Sequence, residues 1–564
     1  MIEFDDEKQN KRLSELRARE QEDLAHMLSE RYDIPYVDLS KMSINGDALR
    51  LVPEKIAREH NFSAFSLLGK KLGIATTQPP GDKLKEIVAD LDRKGFDVSL
   101  FIASPISVMR AWDRYGDISH TVESKEGVLD IANDEIGAMI NEVQTITDIV
   151  ERVDKVIKEK HGYKISKVFE MIIAGALALK ASDIHLEPEE DFVRLRYRLD
   201  GVLTEIVQID NNTYRLVLSR IKLLSGLMLN VKNSAQDGRF SIKVNESEIQ
   251  IRTSTLPGAY NESVVMRILD PKSIQVSIES LGIEPHLFDI LMKEIERPNG
   301  LILTTGPTGS GKTTTLYSFL RKVHTPDIKI LTVEDPIEYH LPGIVQTQTE
   351  KDKYTFATGL RAALRQDPDI IMVGEIRDKE TAEMAINAAL TGHLVFSTLH
   401  TNTAAGAFPR LIDMGINPKV IGSALSTAMA QRLVRKVYKE NAEEVPITGK
   451  DKDTILAILK TIVNRPDLEN IQTETMWQEK SDLESPHLAY KGRVGVYEAI
   501  LMNEEIEKIV RENPSEREIR LASLKQGILT MEQDAIVKVL QGVTTLKEVR
   551  RVIDIDAVAS TGVV

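Results

Sequence analysis

Cysteine is absent from all 564 residues, which excludes disulfides and thiolate metal sites. A reducing cytoplasm is compatible with that absence. Long apolar runs are missing too: the longest, about residues 171–179, falls far short of the ~18 residues a bilayer-spanning helix needs. Any membrane work is therefore expected to pass through partners. Residues 1–19 are charged and have no apolar h-region, so no secretory signal is expected. Positive charge is in deficit, and the formal net charge is −14. This argues against a sequence-independent grip on nucleic acid, which needs clustered Lys and Arg to displace counterions. The nearest basic cluster, Arg432, Arg435, Lys436 and Lys439, has spacing that suits one solvated helix face. No internal repeat or low-complexity tract is visible.

What is present belongs to a soluble, folded chain, with 42% hydrophobic and 28% charged residues. The length suggests roughly three to four domains. Residues 72–77, followed by Gln78-Pro79-Pro80-Gly81, read as a strand and turn. From about Asp117 to Lys160 the chain is acidic and polar with little β-pattern, as expected of a linker with some helix. Residues 168–179 then read as an apolar helix. Residues 192–199 alternate as a strand should, and Asp200-Gly201 closes a hairpin. From about Leu281, short apolar runs at 301–305, 328–333, 370–373 and 394–397 alternate with helical stretches, the rhythm of an α/β sheet.

Gly306-Pro307-Thr308-Gly309-Ser310-Gly311-Lys312-Thr313 fits G-x-x-x-x-G-K-[ST]. The glycines let backbone N–H groups turn towards a phosphate. Lys312 would meet the β and γ phosphates, and Thr313 would offer a hydroxyl to Mg²⁺. The motif leaves a predicted strand and enters a predicted helix at Thr314, whose N-terminus favours an anion. Hydrolysis also needs carboxylates for metal and water. Residues 330–333 deliver Glu334 and Asp335, with Glu338 beyond, and residues 370–373 deliver Gly374-Glu375. Both would lie at carboxyl ends of strands, where open α/β sheets bind ligands; acidic residues there also serve as helix caps. His400 ends a third strand and could sense the γ-phosphate or be a structural histidine. His393 and His400 lack a third ligand at an obvious spacing, so zinc is not expected.

Four stretches, the P-loop, Thr332 to Tyr339, Asp367 to Asp378 and Thr391 to Asn402, resemble the Walker A, Asp, Walker B and His boxes of the secretion ATPase superfamily, in its PilB/GspE branch. By that resemblance Glu334 is the general base, Glu375 the Walker B carboxylate acting through Mg²⁺, and His400 the His-box residue. Upstream, Ala181 to Pro188, Gln236-Asp237-Gly238-Arg239, Arg252 to Pro257 and Val265 to Asp270 resemble the family's PAS-like domain. Its arginines reach the nucleotide phosphates, and the matching positions are Arg239, Arg252 and Arg267. Guanidinium groups suit that chemistry, although surface ion pairs would use them equally well.

The resemblance implies an α/β multidomain chain: an N-terminal docking domain (1–115), a linker (116–164), a PAS-like α+β domain (165–277), a RecA-like ATPase core (278–440) and a C-terminal subdomain (441–564). It implies a cytoplasmic homohexamer using ATP and Mg²⁺. Such a motor meets an inner-membrane platform protein and cytoplasmic docking proteins, and is held at the inner membrane through them without binding nucleic acid directly. Pilus assembly is preferred over type II secretion or DNA uptake; a regulatory scaffold with a degenerate P-loop is the non-enzymatic alternative. The chain departs from the family in one respect. Assembly motors usually hold a zinc between the flanks matched by residues 431–435 and 492–498, and here that segment has no cysteine. No zinc is expected, and Ile455, Leu456, Ile458, Leu459, Ile462 and Val463 have the helical spacing of a substitute core. Some relatives bind cyclic di-GMP through an Arg-Leu-Gly start; Arg12-Leu13-Ser14 is the nearest run here, so that ligand is not expected.

Overall fold

The computed structural model describes residues 20–557 apart from 40–41, 43, 46–47, 50, 69–70, 94, 118–121, 125–127, 131–139, 141–142, 144–145, 159–163, 245–246, 272–275, 351–352 and 484–485. Arg12-Leu13-Ser14 thus lies outside the described residues. The chain divides into two compact units: Met1–Tyr197 with Glu205–Arg267, and Arg198–Thr204 with Ile268–Val564. Among the described residues, no helix is long and apolar enough to cross a membrane.

In the first unit, β1 (Phe62–Leu68), β2 (Lys71–Thr76) and β3 (Asp97–Ile102) form a three-stranded sheet. β1 and β2 pair antiparallel, whereas β2 and β3 are parallel, so the chain crosses over through the helix Asp82–Arg93. Phe62, Ala64, Leu72 and Ile74 are buried there.

The polar stretch expected to be a linker contains structure that its composition conceals. β4 (Val122–Ser124) pairs antiparallel with β5 (Val128–Asp130), and the helix Ile146–Lys158 follows. β6 (Asp183–Pro188), β7 (Phe192–Leu199), β8 (Val202–Asp210), β9 (Gln236–Val244), β10 (Ser247–Pro257) and β11 (Glu262–Leu269) complete an eight-stranded sheet in the order β4-β5-β9-β10-β11-β6-β7-β8. β5 runs parallel to β9, so these two short strands depend on pairing at a sheet edge rather than on an apolar pattern of their own. β7 alternates as expected, with Val193, Leu195 and Tyr197 fully buried. Asp200 and Gly201 both have positive φ, as a two-residue hairpin turn of type I′ requires.

The second unit is built on β12 (Gly300–Thr305), β13 (Ile330–Glu334), β14 (Val345–Gln348), β15 (Ile370–Val373), β16 (Leu394–Leu399), β17 (Leu425–Val437), β18 (Ala442–Pro446), β19 (Thr475–Glu479) and β20 (Tyr490–Leu501). Seven of them form one sheet ordered β14-β13-β15-β16-β12-β17-β20, parallel except for the β17–β20 pair. Every residue of β12, β13, β15 and β16 is buried. Strands covered on both faces read as continuous apolar runs, which is why the sequence located them.

The basic cluster is not a helix face. Arg432 and Arg435 lie on β17, where the period of two sends side chains three apart to opposite sides. Only Lys436 and Lys439 are exposed. β18 and β19 pair antiparallel in the cysteine-free segment, and the helix Gly449–Leu459 buries Ile455 and Ile458.

Candidate functional site

Four parallel strands end on the same edge of the second sheet. Val333 is in register with Val373, Val373 with Ser397, and Thr305 with Leu399. Glu334, Glu375, His400 and the P-loop therefore emerge side by side, as expected for ligand binding in an open α/β sheet.

The P-loop connects β12 to the helix Lys312–Val323. Gly306 has φ +143, and a Cβ there would stand 2.6 Å from the Gln431 carbonyl and from Ser310 Oγ. Gly311 has φ +90, and a Cβ would meet Gln431 Nε2 at 2.8 Å. Both positions thus require glycine. Lys312 is buried and donates to the carbonyls of Gly306 (2.8 Å) and Pro307 (3.1 Å). Burial pushes its pKa down; Glu375 raises it and Arg432 lowers it. Ser310 Oγ is buried without a hydrogen-bond partner among the described residues, an orphaned donor of the kind a phosphate oxygen satisfies. Thr313 and Thr314 open the helix beside it.

Glu375 is hydrogen-bonded to His400 Nε2 at 3.1 Å and paired with Arg377. Arg377 in turn reaches Asp335 at 3.3 Å. Oxygen donors such as the Thr313 hydroxyl and the Glu375 carboxylate are of the type Mg²⁺ takes, so the residues fit the metal.

Glu334 is set apart, 3% exposed. Its carboxylate accepts from Thr332 Oγ1 at 2.5 Å, Gln346 Nε2 at 3.1 Å and the Tyr317 hydroxyl. Burial pushes its pKa up, against those three donors, and Glu338 adds to the rise.

Arg239, Arg252 and Arg267 sit on β9, β10 and β11 of the first unit. Arg239 and Arg252 are directly opposite each other. Arg267 pairs with Asp183 at 2.9 Å.

Sequence reasoning missed several groups. Tyr317 and Gln346 hold Glu334, and Thr315 Oγ1 donates to Gln431 at 2.8 Å. Arg432 donates to the Asn402 carbonyl at 2.9 Å and to Gln431 O at 3.1 Å, which places its charge by the P-loop. Reading residues 425–437 as a strand would have pointed to Gln431 and Arg432, since a neighbouring strand must run alongside β12.

A model of the type II/IV secretion system protein family matches residues 158–551. The chain belongs to that family. With its P-loop and strand-end carboxylates on an α/β core, this secretion-family chain is a P-loop ATPase. A MshEN domain model matches residues 32–122. The type IV pilus assembly ATPase PilB of Myxococcus xanthus is 35% identical over 538 residues, 94% of this chain and 91% of that protein. Type II secretion system protein E of Xanthomonas campestris pv. campestris is 40% identical over 410 residues, 72% and 70% of the two chains. The structure of the Yersinia pseudotuberculosis ATPase DotB covers 70% of this chain and 94% of its own at a TM-score of 0.50 and 21% identity, a likeness of fold.

Proposed function

We propose that this secretion-family chain works as a hexameric motor that hydrolyses ATP to drive type IV pilus assembly. The observation that carries the ATPase reading is the convergence of Lys312, Glu375 and His400 at one sheet edge, with Glu334 ending the neighbouring strand. Water attacks the γ-phosphorus, the bond to the β–γ bridging oxygen breaks, and Glu334 takes the water's proton. Lys312 holds the phosphates, and His400 reports their presence through Glu375. Mg²⁺, held by Thr313 and Glu375, would neutralise phosphate charge.

Arg239, Arg252 and Arg267 are proposed as further phosphate ligands. Arg239 and Arg252 stand opposite each other on paired strands, and guanidinium groups can donate bidentate bonds to phosphate oxygens. Pilus assembly is favoured because the pilus relative aligns over 94% of this chain, including its N-terminal part, against 72% for the type II secretion relative. The N-terminal domain would dock on an inner-membrane platform complex from the cytoplasm. Deleting the gene tests this: surface pili should vanish and return with the wild-type copy but not with Lys312→Ala. Intact pili with lost protein secretion would assign the motor to type II secretion.

A further inference from the structure

The donors around Glu334 come from three elements. Thr332 is on its own strand, Gln346 on β14, and Tyr317 on the helix that begins at the P-loop lysine. Gln346 is itself fixed: its amide nitrogen donates to the Tyr339 carbonyl at 2.8 Å, and its oxygen accepts from Leu341 N at 2.7 Å. Tyr317 is fully buried, with its ring edge-on to Tyr339 at 6.5 Å between centroids. Its hydroxyl lies within the core and donates to one Glu334 oxygen, while Thr332 and Gln346 share the other. This is the only bond in the set that ties Glu334 to the helix carrying Lys312.

We propose that Tyr317 is a positioning residue for hydrolysis, aiming the Glu334 carboxylate and holding it in its proton-accepting form. The inference rests on Glu334 being the base. Chemically, a buried carboxylate loses the solvation that favours its charge, and each donor restores part of it. Thr332 and Gln346 serve one oxygen, and among the described residues Tyr317 is the donor to the other, leaving one of its lone pairs for a water proton. Glu338, on the following loop, is the charged group that opposes ionisation, and Tyr317 is the titratable donor that faces it. A helix that moves when the P-loop engages phosphate would carry this hydroxyl with it, linking nucleotide occupancy to the basicity of Glu334.

The test is Tyr317→Phe, which deletes one oxygen and keeps the ring. The expected result is a kcat about tenfold lower, as loss of one hydrogen bond to a charged group implies, with KM for ATP within twofold. The acid limb of the kcat profile should move to higher pH, because Glu334 loses a donor that favours its charged form. A fluorinated tyrosine at 317, a stronger donor with unchanged shape, should move that limb the other way. In a Glu334→Gln background, Tyr317→Phe should add nothing, since it acts through that carboxylate. Unchanged kcat and pH profile in the folded Tyr317→Phe protein, beside an inactive Glu334→Gln, would overturn the role of Tyr317 alone. Wild-type turnover by Glu334→Gln would instead withdraw Glu334 as the base. An additive loss in the double variant would show that Tyr317 acts through packing, and would also overturn the proposal.

Discussion

Glu498, on β20, accepts the backbone N–H of Ala404 at 2.7 Å. Its other oxygen accepts from Met531 N at 3.1 Å. One buried carboxylate thus fastens the loop that follows His400 to the start of the helix Met531–Leu540. Thr403, beside Ala404, is tied separately to Glu516 at 2.5 Å.

Replacing Glu498 with alanine strands two buried N–H groups and should cost about 2–4 kcal/mol in denaturant unfolding. Burial, aided by Glu532, raises the Glu498 pKa. An acid with a raised native pKa binds more protons folded than unfolded. Its contribution therefore declines as pH rises from its unfolded value of about 4.3 towards the native one. Glu498→Gln should flatten that part of the stability–pH curve; an unchanged curve would mean that the carboxylate is not strained by burial.

Lys312→Ala should abolish ATP turnover and weaken nucleotide binding, since the phosphates lose their ammonium partner. Steady-state assays and nucleotide titration check both. Activity within twofold of wild type would remove the P-loop from the mechanism.

Arg435 and Glu548 make a second buried clip. Glu548 accepts from Arg435 N at 3.0 Å and Nη2 at 2.7 Å, and from Arg551 at 2.6 Å. Arg435 also lies over the Tyr490 ring at 3.8 Å. Burial opposes ionisation of Glu548, yet the bonds from Arg551 and Arg435 outweigh it and hold its pKa below the usual range. A depressed native pKa gives stability present above about pH 4.3 and lost as pH falls through the lower native value. Glu548→Gln should cost about 3–5 kcal/mol at pH 7, as expected for breaking a buried ion pair, and should weaken the acid dependence. A melting temperature equal to that of wild type would count against the clip.

The cysteine-free segment between Tyr438 and Tyr490 should carry no stoichiometric zinc. Chelators should leave folding and turnover unchanged once Mg²⁺ is resupplied, because His487 is the only imidazole there. Elemental analysis finding one zinc per chain, lost together with stability, would refute this.

The sheet edge was legible because its strands are buried on both faces and carry their functional groups at the ends. Glu334, Glu375, His400 and the P-loop could be placed from apolar runs and spacing alone. The partners of Glu334 could not, since Tyr317 and Gln346 are 17 and 12 residues away along the chain and nothing local marks them. Arg432 and Arg435 were misassigned for a different reason. Spacings of three and one suit a helix, but β17 is held extended by β12 and β20, and long-range pairing overrides local periodicity. β4 and β5 escaped notice because an edge pair needs little apolar character.

β17 carries Gln431 and Arg432 against the P-loop and, about 10 Å further on at the usual rise per residue, Arg435 in the grip of Glu548. A strand cannot stretch appreciably, so these two attachments keep a fixed separation. Displacing the helix Leu546–Val552 would load the Arg435 clip, because β17 itself is pinned by its pairing with β12 and β20. The helix Leu546–Val552 and the wall of the phosphate loop thus share one strand as a common anchor, so a load on either is borne by the same backbone.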